Sequence, residues 1–130
     1  MTAQGEDVLA WLEAAITARE KAAQAVGYER FVIDAEDPSR GTKTIGLRRG
    51  NLPKAGPMVF ASLAEYIVLN DPASVLRCCA ADRKLIAEVR RTAVNAKCQP
   101  NSEPYAAWAE AMRRALETVA EGYGWTGEQR

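Results

Sequence analysis

The sequence predicts an α+β fold: a mainly helical single domain with three long helices, one short helix and a small antiparallel sheet or hairpin. Apolar residues recur at helical spacing near both ends of the chain and through a long central stretch. Between the first two of these stretches, aromatic and β-branched residues crowd together among Gly and Pro, which is typical of strands and turns. With 130 residues, the chain has the length of one domain. We therefore expect one domain over residues 1–130, in which residues 126–130 form a loose tail.

The first predicted helix begins near Glu6 and stops at Gly27. Gly is common at a helix end because it adopts the left-handed conformation without steric cost. The inner face should be an apolar stripe formed by Val8, Leu9, Trp11, Leu12, Ala15 and Ile16.

The next segment predicts strands. Residues 28–33 are rich in aromatic and β-branched residues, and residues 43–48 can pair back onto them across a turn-prone loop. Residues 50–57 contain two glycines and two prolines, and we interpret them as a loop. Residues 58–61 form either a short third strand or the lead into the following helix.

A sharp corner at Asn70-Asp71-Pro72 separates the short helix from the longest one. The short helix should begin at Ser62, because Glu65 follows it at the spacing of a capping box. It should stop at the corner, since a residue before proline avoids helical geometry. Proline suits the first turn of the next helix, and either residue before it can cap that turn. We expect the long helix over residues 73–96.

The long helix is predicted to bury one face and to carry a second, narrower apolar seam between two basic stripes. Two apolar faces indicate packing on two sides, against another part of this chain or a second copy of it. The other interpretation is a solvated basic face whose long side-chain stems cover apolar surface. The core face comprises Val75, Cys78, Cys79, Leu85, Ile86 and Val89; the stripes comprise Arg77, Lys84 and Arg91, and Arg83, Arg90 and Lys97; the seam comprises Leu76, Ala80, Ala87 and Val94.

The last helix is predicted from Ser102 to Gly122, after a break at Gln99-Pro100. Its aromatic stripe repeats at intervals of three and four, which favours packing in the core or against a partner over a cofactor site. We expect the segment from Tyr123 to Trp125 to fold back onto the core. The stripe consists of Tyr105, Trp108, Met112, Leu116, Val119 and Tyr123.

The corner and the start of the long helix carry a resemblance. Residues 64–67 (Ala-Glu-Tyr-Ile), 70–77 (Asn-Asp-Pro-Ala-Ser-Val-Leu-Arg) and 82–86 (Asp-Arg-Lys-Leu-Ile) resemble a family of small proteins of unknown function from actinobacteria and their phages. The shared motif is a helix start and not a catalytic signature. Members of that family often have a histidine near the corner and a cluster of cysteines further on. This chain has no histidine and lacks that later cluster, so no metal or catalytic role is carried over. The resemblance implies a phage or prophage origin and a cytoplasmic setting.

The composition excludes several kinds of chemistry. The chain has no histidine, so a Ser-His-Asp or Cys-His arrangement is impossible. The three cysteines lack the spacing of a zinc site, and Cys78 and Cys79 are expected to be small buried hydrophobes. The glycines that flank Arg48 and Arg49 lack the spacing of a phosphate-binding loop. We therefore predict no catalytic residue, no metal, no cofactor and no enzymatic activity.

Charge and hydropathy point to no membrane. The formal net charge is zero, and no apolar run has the length of a membrane-spanning helix. The first residues are polar and acidic, unlike a signal peptide. The expected location is the cytoplasm.

The first functional hypothesis is a non-enzymatic protein-interaction module that binds a protein partner or itself, as a homodimer. If the resemblance holds, it is a phage- or prophage-encoded modulator of a host protein. The expected association surface comprises Leu76, Ala80, Ala87, Val94, Tyr105, Trp108 and Met112.

The alternative is a small basic-patch protein that binds nucleic acid or a nucleotide. Paired arginines beside a glycine can grip phosphate oxygens bidentately. This reading requires a basic loop and the basic face of the long helix to meet in space. The candidate phosphate contacts are Arg48, Arg49, Lys54, Arg83, Arg90 and Lys97.

Overall fold

The computed structural model describes residues 3–127. Within them lie four helices, α1 (Ala3–Ala25), α2 (Ala61–Leu69), α3 (Pro72–Cys98) and α4 (Glu103–Gly122), and three strands, β1 (Arg30–Asp37), β2 (Thr42–Arg49) and β3 (Leu52–Phe60). The fold class is α+β, as predicted, with three long helices, one short helix and an antiparallel sheet. Packing divides the chain into two compact units: the sheet unit, Arg19–Cys79, and the helical unit, which comprises the residues up to 18 and from 80 onward.

The helical unit buries apolar residues from α1, α3 and α4. Their burial follows from the helical spacing of apolar residues seen in the sequence. Thr92 is also buried, and its hydroxyl donates to the Val89 carbonyl at 3.0 Å, so its burial leaves no polar atom unpaired. The buried apolar residues of this unit include Val8, Leu9, Leu12, Ile16, Ile86, Val89, Leu116 and Ala120.

The aromatic end of the chain folds back onto the helical unit, as predicted. The rings of Trp125 and Trp11 meet edge to face with centroids 5.2 Å apart. The Tyr123 hydroxyl donates to the carboxylate of Asp82 at 2.6 Å. Of the tail expected at residues 126–130, residues 128–130 lie outside the described part of the chain.

The sheet unit is built on an antiparallel sheet in the order β1-β2-β3. The loop predicted for residues 50–57 is wrong, because most of that segment belongs to β3. Gly50 has a positive φ of 56°, so a tight turn at Gly50 and Asn51 reverses the chain and pairing resumes at once. Pro53 and Pro57 favoured a loop in the sequence-based prediction. An edge strand tolerates proline because its outer side makes no ladder hydrogen bond.

β1 is longer than predicted because a β-bulge accommodates the polar residue Asp34 within the strand. It extends to Asp37, and its register shifts next to Asp34. The Asp34 carboxylate crosses Gly46 to pair with Arg48, and any side chain at position 46 would collide with both. Ile45, the neighbour of Gly46, points to the opposite face, where α2 packs and Ile45 itself is buried.

Asp71 organises the corner between α2 and α3. One carboxylate oxygen accepts from the Ser74 N–H at 2.8 Å and caps α3, and the other accepts from the Phe31 N–H of β1 at 3.4 Å. Burial alone would raise the pKa of Asp71, but the hydrogen bonds from Ser74 and Phe31 outweigh it and hold the pKa below its usual value. Of the two predicted capping residues, Asp71 takes this role.

The capping box predicted for Ser62 and Glu65 does not form. β3 runs directly into α2, so Phe60 occupies the cap position and no side chain caps this end. Glu65 instead accepts from the Lys43 ammonium at 2.9 Å. Glu65 forms an ion pair with Lys43 of β2 in place of the local capping bond, and sequence spacing does not reveal such a contact between elements.

Two predictions about the ends and core of α3 need correction. The helix begins at Pro72 and extends to Cys98, slightly beyond both expected ends. Cys79 is buried as expected, but Cys78 is exposed. Adjacent helical residues are about 100° apart, so a single helix face cannot bury both unless the covering layer is broad.

Candidate functional site

The most conspicuous surface feature of the sheet unit is an exposed run of large apolar side chains, here called the apolar ridge. It lies along the outer side of α2 and consists of Leu63 (46% exposed), Tyr66 (65%) and Leu69 (75%). These exposed fractions are too large for core residues. Met58 and Phe60 are also exposed, but they pair with Thr44 and Thr42 and so lie on the face of the sheet opposite the one that α2 covers.

The ridge arises because α2 is apolar around most of its circumference. Ala64 is buried on the inner side. Leu63, Tyr66 and Leu69 follow one another at intervals of three and so occupy the outer side. A helix that is apolar on all sides normally lies inside a core. Here its outer side is open, and contiguous exposed apolar patches of this kind mark interaction sites.

The charges beside the ridge are paired within the chain, with one carboxylate in excess. The Lys43 ammonium contacts Glu65 at 2.9 Å and Glu36 at 3.3 Å. The hydrogen bonds that Lys43 donates to Glu65 and Glu36 raise its pKa. The ridge itself contains no charged side chain, so it can be covered without burying an unpaired charge.

A second feature of the sheet unit is a small basic pocket with a volume of about 350 Å³. The ammonium of Lys54 lies over the ring of Tyr28, 5.7 Å from its centroid. Sequence reasoning missed Tyr28, which it treated only as a strand residue; an aromatic near basic residues was the available signal. The pocket, here called the turn pocket, is lined by Gly27, Tyr28, Arg49, Leu52, Pro53 and Lys54.

A family model covers both features. The model of a family of unknown function, DUF6221, matches residues 5–124. The chain belongs to the DUF6221 family. No curated protein and no solved structure matches the chain. The match spans α1 to α4, so the ridge and the turn pocket both lie in the part of this DUF6221 protein that the family model describes.

The association surface predicted from the sequence is partly open. Leu76 is half-buried in the sheet unit. In the helical unit, Ala80, Ala87 and Val94 are exposed along α3, and Val94 is 57% exposed. On α4, Tyr105 and Met112 are half-buried, whereas Trp108 is 42% exposed and carries the Arg91 guanidinium 5.1 Å from its ring centroid.

The basic residues of the sheet unit differ in their charge environment. Arg48 is paired with Asp34 and its charge is compensated. Arg49 and Lys54 line the turn pocket together. Of the three phosphate contacts predicted in this unit, Arg49 and Lys54 therefore lie together, whereas Arg48 is engaged in an ion pair with Asp34.

In the helical unit the predicted basic residues lie apart along α3. Arg83 donates to the Thr17 hydroxyl at 3.1 Å, and Arg90 pairs with Glu13 at 2.8 Å. Lys97 lines a separate groove of about 680 Å³ between the end of α3 and the start of α4. The functional patch predicted from these residues is thus partly engaged in contacts with α1.

Residues 3–127 contain no group of three or more Cys, Asp or Glu side chains that could hold a metal ion. None of the helices in this range combines the length and the apolar character required to cross a membrane.

Proposed function

We propose that this protein is a non-enzymatic interaction module that binds a second copy of itself through the apolar ridge. The observation that carries the proposal is the exposure of Leu63, Tyr66 and Leu69 on one side of α2. Covering these side chains removes apolar surface from water, which is the main driving force of association.

Tyr66 lies between Leu63 and Leu69 in the ridge and is 65% exposed. Aromatic residues are enriched among the residues that dominate interface energy, so we expect Tyr66 to contribute most to the association.

The charge pattern suits a twofold arrangement. In such a dimer each residue of the patch meets the same patch on the other copy, so an uncompensated charge would meet its like. The ridge itself is uncharged, and Lys43 beside it pairs with both Glu65 and Glu36, which leaves one carboxylate in excess. Two copies can therefore meet through the ridge if these clusters lie at the rim of the interface, away from the twofold axis.

The docking should use side chains and not strand addition. β3 is an edge strand, which in principle offers free backbone groups to another chain. Pro53 and Pro57 remove two of its N–H donors. The ridge on the outer side of α2 remains the better surface.

We extend the proposal to a biological setting. The segment from Asn70 to Arg77 resembles proteins of actinobacteria and their phages, which supports a phage- or prophage-encoded protein that works in the cytoplasm. In that setting the self-associated form would modulate a host protein. This part rests on the resemblance and is independent of the ridge.

The test compares two exposed apolar positions. Leu69→Arg places a charge in the ridge, and Val94→Arg places one in the surface predicted on α3; both residues are exposed, so both variants should fold. We expect sedimentation to show a wild-type dimer, a Leu69→Arg monomer and a Val94→Arg dimer.

Other outcomes overturn defined parts of the proposal. Loss of the dimer only in Val94→Arg would move the interface to the sequence-predicted surface. A wild-type protein that stays monomeric at all concentrations would refute the proposed self-association. A host protein retained by the wild type but not by Leu69→Arg would make the occupant of the ridge a different chain.

A further inference from the structure

We propose that the turn pocket binds a ligand that joins a phosphate to an aromatic base: a mononucleotide, or the same unit within a single nucleic-acid strand. This goes beyond self-association and uses none of the ridge residues. It also narrows the candidate phosphate contacts to Arg49 and Lys54 and adds Tyr28.

The pairing of β2 with β3 places the pocket residues on one face of the sheet. Arg49 lies opposite Leu52 in the register, and Lys54 is two residues further along β3. Side chains two apart on a strand point to the same face, as do directly paired residues. The tight turn after Arg49 therefore brings both cations beside Leu52.

The connection from α1 to β1 supplies the aromatic wall. Gly27 has a φ of 78° and ends the helical stretch, so the chain turns and Tyr28 reaches the pocket. The Glu29 N–H donates to the Arg48 carbonyl at 2.8 Å, which ties this segment to β2. Tyr28 is thus held by backbone hydrogen bonding beside the two cations.

The pocket carries uncompensated positive charge. Within residues 3–127, neither Arg49 nor Lys54 has a carboxylate at ion-pair distance, in contrast to neighbouring Arg48, which pairs with Asp34. A phosphate monoester carries about −1.5 to −2 charges at pH 7 and suits two such cations. Arg49 can also offer a bidentate pair of donors to its oxygens.

The apolar part of the pocket suits a planar ring. Tyr28, Leu52 and Pro53 surround the cations with apolar surface. Bases stack on aromatic side chains without regard to sequence. The volume of about 350 Å³ lies at the small end of ligand sites and suits one nucleotide unit.

The experiment measures binding of adenosine 5′-monophosphate, adenosine, inorganic phosphate and a labelled single-stranded oligonucleotide by calorimetry and fluorescence anisotropy. We expect saturable one-to-one binding of the nucleotide unit, with adenosine and phosphate each weaker by about tenfold or more, since each lacks half of the contacts. Binding should weaken as salt is added.

Matched variants locate the site. Arg49→Gln and Lys54→Gln should each weaken binding about tenfold, because each removes a charge-assisted contact. Arg40→Gln is the control: Arg40 is also exposed in the sheet unit but lies in the β1–β2 turn, at the other end of the hairpin. Tyr28→Leu should reduce the difference between the nucleotide and phosphate alone.

The oligonucleotide and mononucleotide affinities together distinguish a nucleic-acid strand from a free nucleotide as the ligand. An oligonucleotide that binds at least about tenfold tighter than the mononucleotide and is displaced by it identifies a nucleic-acid strand, whereas equal affinities identify the free nucleotide. The proposal is overturned if no probe binds saturably, or if Arg40→Gln weakens binding as much as Arg49→Gln.

Discussion

α2 and α4 are both rich in large apolar residues, but they differ in which of these residues are buried and which are exposed. α4 buries Leu116 and Ala120 and presents ion pairs to solvent, among them Arg113 with Glu110 at 2.7 Å and Arg114 with Glu110 at 3.2 Å. α2 buries Ala64 and presents Leu63, Tyr66 and Leu69. α4 has the pattern of a helix with one partner face and one solvent face, whereas α2 has the pattern of a helix covered on two sides.

The largest expected effect is in the helical unit. Leu116 is fully buried, so Leu116→Ala should lower the free energy of unfolding by about 2–5 kcal/mol through lost burial and a cavity. Leu69→Ala in α2, measured at a concentration low enough to keep the protein monomeric, should change it by less than about 0.5 kcal/mol. Urea denaturation measures both. Equal losses would mean that the outer side of α2 belongs to a core.

The next largest effect concerns helix capping, which differs between the starts of α3 and α4. Asp71→Ala removes the cap of α3 and the bond to Phe31, and should cost about 1–2 kcal/mol at pH 7. Ser102→Ala is the control, because Ser102 occupies the cap position of α4 without a side-chain hydrogen bond. We expect that variant to unfold at nearly the wild-type urea concentration.

The Asp71 contribution should depend on pH in a defined direction. Because its pKa is lowered in the folded state, the stabilisation is fully present above the ordinary aspartate pKa of about 3.9 and is lost as pH falls towards the folded value. The difference between wild type and Asp71→Ala should therefore shrink in acid. A difference that stays constant from neutral pH to strongly acidic pH would contradict the role of the charged carboxylate.

The smallest effect concerns the solvent face of α4. Hydrogen bonds from Arg113 and then Arg114 lower the pKa of Glu110 to about 2. Titration followed by carboxyl NMR should show this value, and Arg113→Gln should raise it more than Arg114→Gln. Glu110 is exposed, so Glu110→Gln should barely move the unfolding midpoint. A Glu110 that titrates at the ordinary value would show that these ion pairs do not persist in solution.

Much of the fold could be predicted because periodicity is a local property. The stripe of Val8, Leu12 and Ile16 identified the buried face of α1, and Pro72 identified the start of α3 within one residue. The stripe predicted on α4 includes the buried Leu116 but also the exposed Trp108. β3 could not be predicted in the same way. Pro53 and Pro57 are unfavourable in a central strand and acceptable at an edge, and strand order is not written in the spacing of residues.

The candidate sites were predicted less well. Arg49 and Lys54 were identified, but Arg48 was grouped with them because its pairing with Asp34 depends on a bulge and on Gly46. Tyr28 was missed because its contact with Lys54 joins residues that are distant in sequence. The surface proposed on α3 and α4 stays a prediction.

The sequence alone determined where the helices lie, the buried stripe of α1, and that a histidine-based active site is impossible, since composition and helical spacing require no knowledge of partners. Only the tertiary structure decided which apolar residues remain uncovered. Leu63, Tyr66 and Leu69 have the same hydropathy as core residues, and they are exposed because the sheet covers only one side of α2. Burial depends on what packs against a face, and that is a non-local property of the fold.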